Sequence, residues 1–169
     1  MKIRDIALMG VLSAIVTAGK LALSFVPNIE IVTLLFMVYT VVFGYRKTIL
    51  VSIVFTTMEI FIYGFSTWLL GYYIIWPILI TVTALMKKRI KSEYGYAAIG
   101  AIFGYTFGLF FAVVESFFYG RAYGWLYWIK GIPFDLVHGT ANFIIALVLY
   151  KYVVNILAEL KKIYYRNQS

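Results

Sequence analysis

Six long apolar segments, joined by short polar connections, occupy most of this 169-residue chain. A helix needs about 20 residues to cross the roughly 30 Å of hydrocarbon in a bilayer, and most of the segments approach that length. Inside lipid a continuous helix satisfies its own backbone hydrogen bonds, so these segments are expected to be helical. The sequence therefore predicts an all-α integral membrane protein with a single transmembrane domain. The predicted spans are residues 6–25, 29–43, 48–63, 68–85, 96–118 and 133–154, followed by a basic tail at 155–169.

The composition argues against several other classes of protein. The chain is 63% apolar and only 13% charged, whereas soluble domains have roughly 45–50% apolar and about 25% charged residues. It contains no cysteine, which excludes disulfides, Cys-ligated zinc and thiol catalysis. The net charge of +8 comes from residues in short loops between apolar segments, which is typical of membrane topology rather than of a nucleic-acid-binding surface. With a single histidine, neither a multi-His metal site nor a cofactor is predicted.

The predicted boundaries of the first and the sixth helix each depend on one feature of the sequence. The first apolar run has a basic start, as a signal peptide does, but it continues through Ala22 and further spans follow, so a retained first span is predicted. Residues 119–130 are rich in glycine and aromatic residues and are predicted to form a loop. The sixth helix is then expected to begin near Pro133, because proline is favoured in the first turn of a helix.

The basic residues predict the orientation of the bundle. With six spans, twelve of the fifteen Lys and Arg residues fall on one side and two on the other, while Lys20 lies within the first span. Loops rich in Lys and Arg stay in the cytoplasm. Both termini are therefore predicted to be cytoplasmic, and the basic tail is expected to lie at the inner leaflet, where its lysines can reach lipid headgroups.

Polar residues recur in the last span, where charge is expensive. Asp135, His138 and Asn142 fall at positions i, i+3 and i+7, a spacing that places them on one face of a helix. Ionisable residues within membrane helices are rare and usually face the protein interior. This face is therefore a predicted functional surface.

The predicted orientation brings further charged residues to the same depth. Lys20, Glu30, Glu59 and Glu115 all fall in the outer half of their spans. Singly, they have ordinary explanations: an interfacial Lys20–Glu30 pair, a glutamate that reaches the outer water, or a satisfied core histidine. As a set they predict a polar cavity that opens outward, with aromatic walls of the kind that hold a planar ligand. The candidate substrate-binding residues are Glu59, Trp68, Tyr72, Trp76, Glu115, Asp135, His138 and Asn142.

Small residues recur every four positions on the first helix, at Gly10, Ala14 and Ala18. Such spacing lets helices approach closely in lipid. One interpretation is packing inside the bundle, and the other is a docking face for a second membrane subunit.

The small-residue face, the stretch GKLALSFVPNIEIVTLLF at 19–36 and the polar outer half of the last helices together resemble the substrate-binding S components of energy-coupling factor (ECF) vitamin transporters. The resemblance implies a six-helix protein of the bacterial cell membrane that captures a vitamin from outside. It implies that an Ala-xxx-Ala motif, here Ala14 to Ala18, meets a membrane T component, and that two cytoplasmic ATPases supply the energy. It also implies that the outer loops at 25–30 and 64–68 close the pocket.

The ligand and two rival functions stay open. S components share a fold while binding unrelated vitamins, so the fold does not identify the ligand. The 19–36 stretch ranks cobalamin narrowly first, ahead of riboflavin- or queuosine-like rings. An intramembrane enzyme using Glu59, Glu115, Asp135 and His138 as acids and bases is one rival, although the chain has no His-Glu-x-x-His or Gly-x-Ser-x-Gly motif. A structural assembly subunit is the other. The resemblance favours a protein that is not an enzyme.

Overall fold

The computed structural model describes residues 3–166, and within them the chain forms six α-helices. Four of them, α1, α4, α5 and α6, are long and apolar enough to cross a membrane. This agrees with the predicted all-α membrane class. The last three residues of the predicted basic tail lie outside the described residues. The helices are α1 (Ile3–Ala22), α2 (Val32–Val42), α3 (Tyr45–Tyr63), α4 (Thr67–Met86), α5 (Glu93–Tyr119) and α6 (Arg121–Arg166).

The second helix is shorter than the predicted span at 29–43 and lies at the centre of the bundle. With 11 residues it is about 16 Å long, and every residue except Val41 is buried. It packs against α3, α4 and α6. A helix that is apolar on all sides is stable only when neighbours surround it. This helix therefore forms the core around which the longer helices are arranged.

Helices α5 and α6 form a closely packed antiparallel hairpin. Gly100, Gly104 and Gly108 follow one another at intervals of four on α5, and all three are buried. A Cβ atom on Gly104 would lie 2.6 Å from the Cα atom of Gly139 on α6, so the two backbones are in direct contact there. Small residues at this spacing allow such an approach. The sequence contains this repeat as plainly as the one on α1, but it was not predicted to be a packing surface.

The prediction of a loop at 119–130 is wrong. Helix α6 begins at Arg121 and continues for 46 residues, and only Gly120, with φ at +89°, separates it from α5. Glycine adopts that backbone conformation without a steric penalty. The hairpin explains the helical conformation, because Gly124 packs against Ala112 of α5, where a Cβ atom would lie 2.5 Å from the carbonyl oxygen.

Pro133 accordingly lies inside α6 rather than in its first turn. Proline removes one backbone N–H from the hydrogen-bond pattern of a helix. Packing contacts before and after Pro133 stabilise the helix despite this lost hydrogen bond. The rings of Tyr119, Tyr123 and Tyr127 follow one another with centroid separations of 5.0 and 6.3 Å. Beyond Pro133, Gly139 packs on α5.

At the opposite end of the bundle, α6 extends past α5 and contacts the first and third helices. The Lys47 ammonium donates to the Asp5 carboxylate and to the Tyr165 hydroxyl, each at 2.6 Å. Tyr165 in turn donates to Asp5 at 2.7 Å. The Arg4 guanidinium lies 4.3 Å from the ring centroids of both Tyr164 and Tyr165. We call this the basic end, and the end where α6 begins the far end.

Candidate ligand-binding site

A cavity of about 350 Å³ lies at the far end of the bundle, beneath the connection between α1 and α2. The connection forms its roof through residues 23–30, so the predicted closing loop at 25–30 lies against the cavity. Of the other predicted closing loop, at 64–68, only Trp68 lines it. We call this the first cavity. Its remaining polar and aromatic lining consists of Lys20, Tyr63, Trp68, Tyr72, Trp76, Phe107 and His138.

Lys20 lines the first cavity and forms an ion pair with Glu59, which does not line this cavity. Lys20 comes from the last turn of α1 and Glu59 from α3, and the ammonium and the carboxylate are in direct contact. Glu59 is fully buried, whereas the Lys20 side chain is 19% exposed. The ammonium also lies 4.7 Å from the ring centroid of Tyr63 and 5.2 Å from that of Tyr72, a favourable arrangement of a cation over aromatic faces. The structure thus pairs Lys20 with Glu59 instead of with Glu30.

Glu30 is paired with His138, and both residues line the first cavity. The distance from His138 Nε2 to Glu30 Oε1 is 3.3 Å. The other carboxylate oxygen of Glu30 accepts the backbone N–H of Thr33 at 2.8 Å, so the carboxylate also stabilises the N-terminus of α2. One turn deeper, Asn142 donates to the Thr33 hydroxyl at 3.2 Å. Two members of the predicted polar face of α6 therefore bind the start of the central helix.

The third member of that face, Asp135, lines a different cavity of about 510 Å³ between the far halves of α5 and α6. We call this the second cavity. Asp135 Oδ1 accepts the backbone N–H of Gly108 at 2.9 Å, while its Oδ2 is buried with no hydrogen-bond partner among residues 3–166. The two cavities share Asn28 and Phe107. They are therefore adjacent and separated by those side chains.

The remaining predicted site residues have different surroundings. Glu115 is buried and accepts a hydrogen bond from the Thr67 hydroxyl at 2.8 Å, and it lines neither cavity. Trp76 is only 2% exposed and packs between Phe36 and Phe103. Its indole N–H has no hydrogen-bond partner within the part of the chain that the structure describes. Trp76 therefore belongs mainly to the core, and part of its side chain lines the first cavity.

Several residues that line the two cavities are not among the predicted site residues. Lys20 and Glu30 were recognised as outer charges but were not assigned to the site. Phe107 separates the two cavities, and nothing distinguishes it in sequence from the other phenylalanines of α5. The lining of the second cavity by Tyr123 and Tyr127 depends on the unpredicted first turns of α6.

The small-residue face of α1 is not used inside the bundle. Gly10, Ala14 and Ala18 are all exposed, and a Cβ atom on Gly10 would meet nothing within 4 Å. The opposite face of α1, including Leu12 and Val16, is the one that is buried. Of the two interpretations of this repeat, packing within the bundle does not apply.

Comparisons with protein-family models, with curated proteins and with solved structures found no significant match to this chain. Among residues 3–166, no three His, Asp or Glu side chains come together as a metal site would require. The side chains that line the first cavity offer hydrogen bonding, ion pairing and aromatic contact.

Proposed function

We propose that this protein is the substrate-binding membrane subunit of an ECF-type ABC importer in the bacterial cell membrane. In this proposal it takes a vitamin or related micronutrient from outside and delivers it by docking on a T component driven by two ATPases. The observation that carries the proposal is the first cavity. It combines aromatic side chains with a few converging polar groups, Lys20, Glu30 and His138, which is the usual composition of a small-molecule site.

The proposed topology has six crossings, with the basic end of the bundle in the cytoplasm and the far end outside. The distribution of Lys and Arg supports it, because only Lys20, at the end of α1, and Arg121 and Lys130, at the start of α6, lie at the far end. The first cavity then lies on the outer side beneath the α1–α2 connection. A ligand would reach it from outside without crossing the hydrophobic core.

Two observations support the proposal that separate partner subunits dock on this protein and hydrolyse ATP. The small-residue face of α1, Gly10, Ala14 and Ala18, is exposed, as a face that receives another membrane helix must be. The sequence has no Gly-x-x-x-x-Gly-Lys-Ser/Thr loop to cradle the phosphates of ATP. Separate ATPases are therefore part of the proposal.

The volume of the first cavity bears on the ligand. About 350 Å³ is near the lower end of the range of roughly 300–1,000 Å³ for small-molecule sites. A riboflavin- or queuosine-like planar ring suits this volume. Cobalamin, which the sequence ranks first, is much larger, and it would require the first and second cavities to merge by displacement of Phe107 and Asn28.

Native mass spectrometry of the detergent-purified protein, with a scan for released small molecules, tests the proposal. We expect a retained molecule of vitamin size, or saturable binding of one member of a vitamin panel that includes cobalamin and riboflavin. An empty protein that ignores the panel would contradict a binding subunit. Turnover of a bound molecule without ATPase partners would instead favour the intramembrane enzyme, in which His138 and Glu30, 3.3 Å apart, would act as acid and base.

His138→Ala and Asp135→Ala are each expected to weaken binding of that molecule by about 1–3 kcal/mol, because each removes a buried hydrogen-bond partner. Isothermal titration calorimetry measures the change. Val137→Ala, at an exposed position of the same helix, is the matched control and should bind as the wild type does. Unchanged affinity in both variants would remove this face of α6 from the site.

Ala14→Trp is expected to abolish uptake in cells while leaving ligand binding by the purified subunit intact. The large ring would occupy the space that a docking helix needs on α1. Ile102→Trp, at a position of α5 that is 63% exposed, controls for a tryptophan at the lipid-facing surface. Normal uptake by cells carrying Ala14→Trp would argue against this face as the docking surface.

A further inference from the structure

We propose that the second cavity is the subsite for a positively charged nitrogen of the ligand, bound by the carboxylate of Asp135. This inference rests on the proposed function and adds the chemical class of the substrate. The ligand would have a planar ring in the first cavity and a protonated amine, or another cationic N–H group, in the second.

One carboxylate oxygen of Asp135 has no hydrogen-bond partner among residues 3–166, and a ligand donor would reach it once the side chain turns toward the second cavity. The residue is only 8% exposed. Its Oδ1 accepts the Gly108 N–H at 2.9 Å, but Oδ2 is buried without a hydrogen-bond partner among the described residues. Leaving a buried polar atom unpaired is unfavourable, and such atoms are uncommon in folded proteins. A charged N–H donor forms the strongest hydrogen bond that a carboxylate can accept.

Gly108 of α5 leaves space for the carboxylate of Asp135. A Cβ atom on Gly108 would collide with both oxygens of Asp135, so a larger residue here would displace the carboxylate from this position. The same residue supplies the N–H that orients the carboxylate. Gly108 thus fixes Asp135 at the wall of the cavity.

Among residues 3–166, the carboxylate of Asp135 forms no ion pair. Lys20 is paired with Glu59, and His138 with Glu30. Lys130 lines the second cavity, but across residues 3–166 its ammonium forms no ion pair. A cationic ligand group would balance the charge of Asp135.

Apart from Lys130, the walls of the second cavity are also suited to a cation. They include the rings of Phe107, Phe111, Tyr123 and Tyr127, and the faces of aromatic rings attract positive charge. Because Phe107 and Asn28 line both cavities, one ligand could extend past them from one cavity into the other.

Three probes that share an indole ring test this inference on the purified full-length protein. They are tryptamine, which is cationic, tryptophol, which is neutral, and indole-3-propionate, which is anionic. Isothermal titration calorimetry should give a Kd for tryptamine at least about tenfold lower than for tryptophol, because a charge-assisted hydrogen bond replaces a neutral one. Indole-3-propionate should bind most weakly. Asp135→Asn should abolish the preference for tryptamine.

Glu115→Gln is the matched control. It also removes a buried carboxylate near the far end, but from a position that lines neither cavity, and it should keep the preference. Tyr127→Leu, at an exposed edge of the second cavity, should weaken tryptamine binding more than tryptophol binding, and it provides a second variant if Asp135→Asn does not fold.

Equal affinities for tryptamine and tryptophol in the wild-type protein would overturn the inference, as would the absence of saturable tryptamine binding. A preference that persists in Asp135→Asn would do the same. These failures differ from failure of the proposed function. A neutral vitamin released in the mass-spectrometry experiment would support the importer subunit and overturn the cationic subsite, whereas an empty protein without vitamin binding would contradict the importer itself.

Discussion

Lys20→Met is expected to lower the free energy of unfolding by about 3 kcal/mol or more, because it leaves the carboxylate of Glu59 buried without its cation. Glu59 is completely inaccessible to solvent, and its second oxygen, Oε1, has no hydrogen-bond partner in the described chain. The ammonium of Lys20 also contacts the aromatic rings around it, including Trp68 at 5.3 Å. The variant therefore loses the pair and the cation–π contacts together.

The measurement is unfolding in mixed micelles with increasing SDS, followed by tryptophan fluorescence. The double variant Lys20→Met/Glu59→Gln should recover most of the lost stability, since replacing both charges removes the cost of an unpaired one. Lys151→Met, at an exposed position of α6, is the control for loss of a lysine and should unfold as the wild type does. A Lys20→Met protein as stable as the wild type would show that the pair contributes nothing to the fold.

Gly104→Leu is expected to destabilise the protein by about 3 kcal/mol, at the upper end of the cost of overpacking. The atoms nearest to a Cβ at this position are backbone atoms of Gly139, with both Cα and N at 2.6 Å. Backbone atoms cannot rotate away as a flexible side chain can. To accommodate the leucine, α5 and α6 must separate along the surface that contains the polar face of α6.

Gly10→Leu is the matched control for this prediction, measured by the same SDS unfolding. A side chain at Gly10 meets nothing within 4 Å, and leucine is a better helix former than glycine by somewhat under 1 kcal/mol. The control should be as stable as the wild type or slightly more stable. Equal destabilisation by the two substitutions would mean that the cost is not specific to the contact between α5 and α6.

The arrangement of the polar residues of α6 could be predicted from the sequence only in part. The spacing of Asp135, His138 and Asn142 predicted that they share a face of one helix, and the structure buries all three on α6. The same spacing did not predict their partners. His138 contacts Glu30, which is 108 residues away in the sequence. Asp135 contacts the backbone of Gly108. A helical period describes one helix, whereas partners depend on which helices are neighbours.

The two errors in the helix boundaries have a related cause. Residues 119–130 contain glycines and aromatics that favour a loop in isolation, but Gly124 is the residue that lets α6 pack on α5. The central helix is shorter than its apolar segment, because residues 23–30 turn to form the roof of the first cavity. In both cases tertiary packing overrode the local preference of the chain.

By itself the sequence determined the class of the protein and the location of its polar groups. Apolar segments long enough to cross a membrane, and the few charged residues within them, can be read directly from consecutive residues. The composition of these segments indicates that they need lipid around them. Only the tertiary structure decided that Lys20 pairs with Glu59, that glycines of α5 contact α6, and that Asp135 and His138 line different cavities. These outcomes depend on which helix faces meet, because the hydrogen-bond and packing partners of a side chain are its neighbours in space rather than its neighbours along the chain.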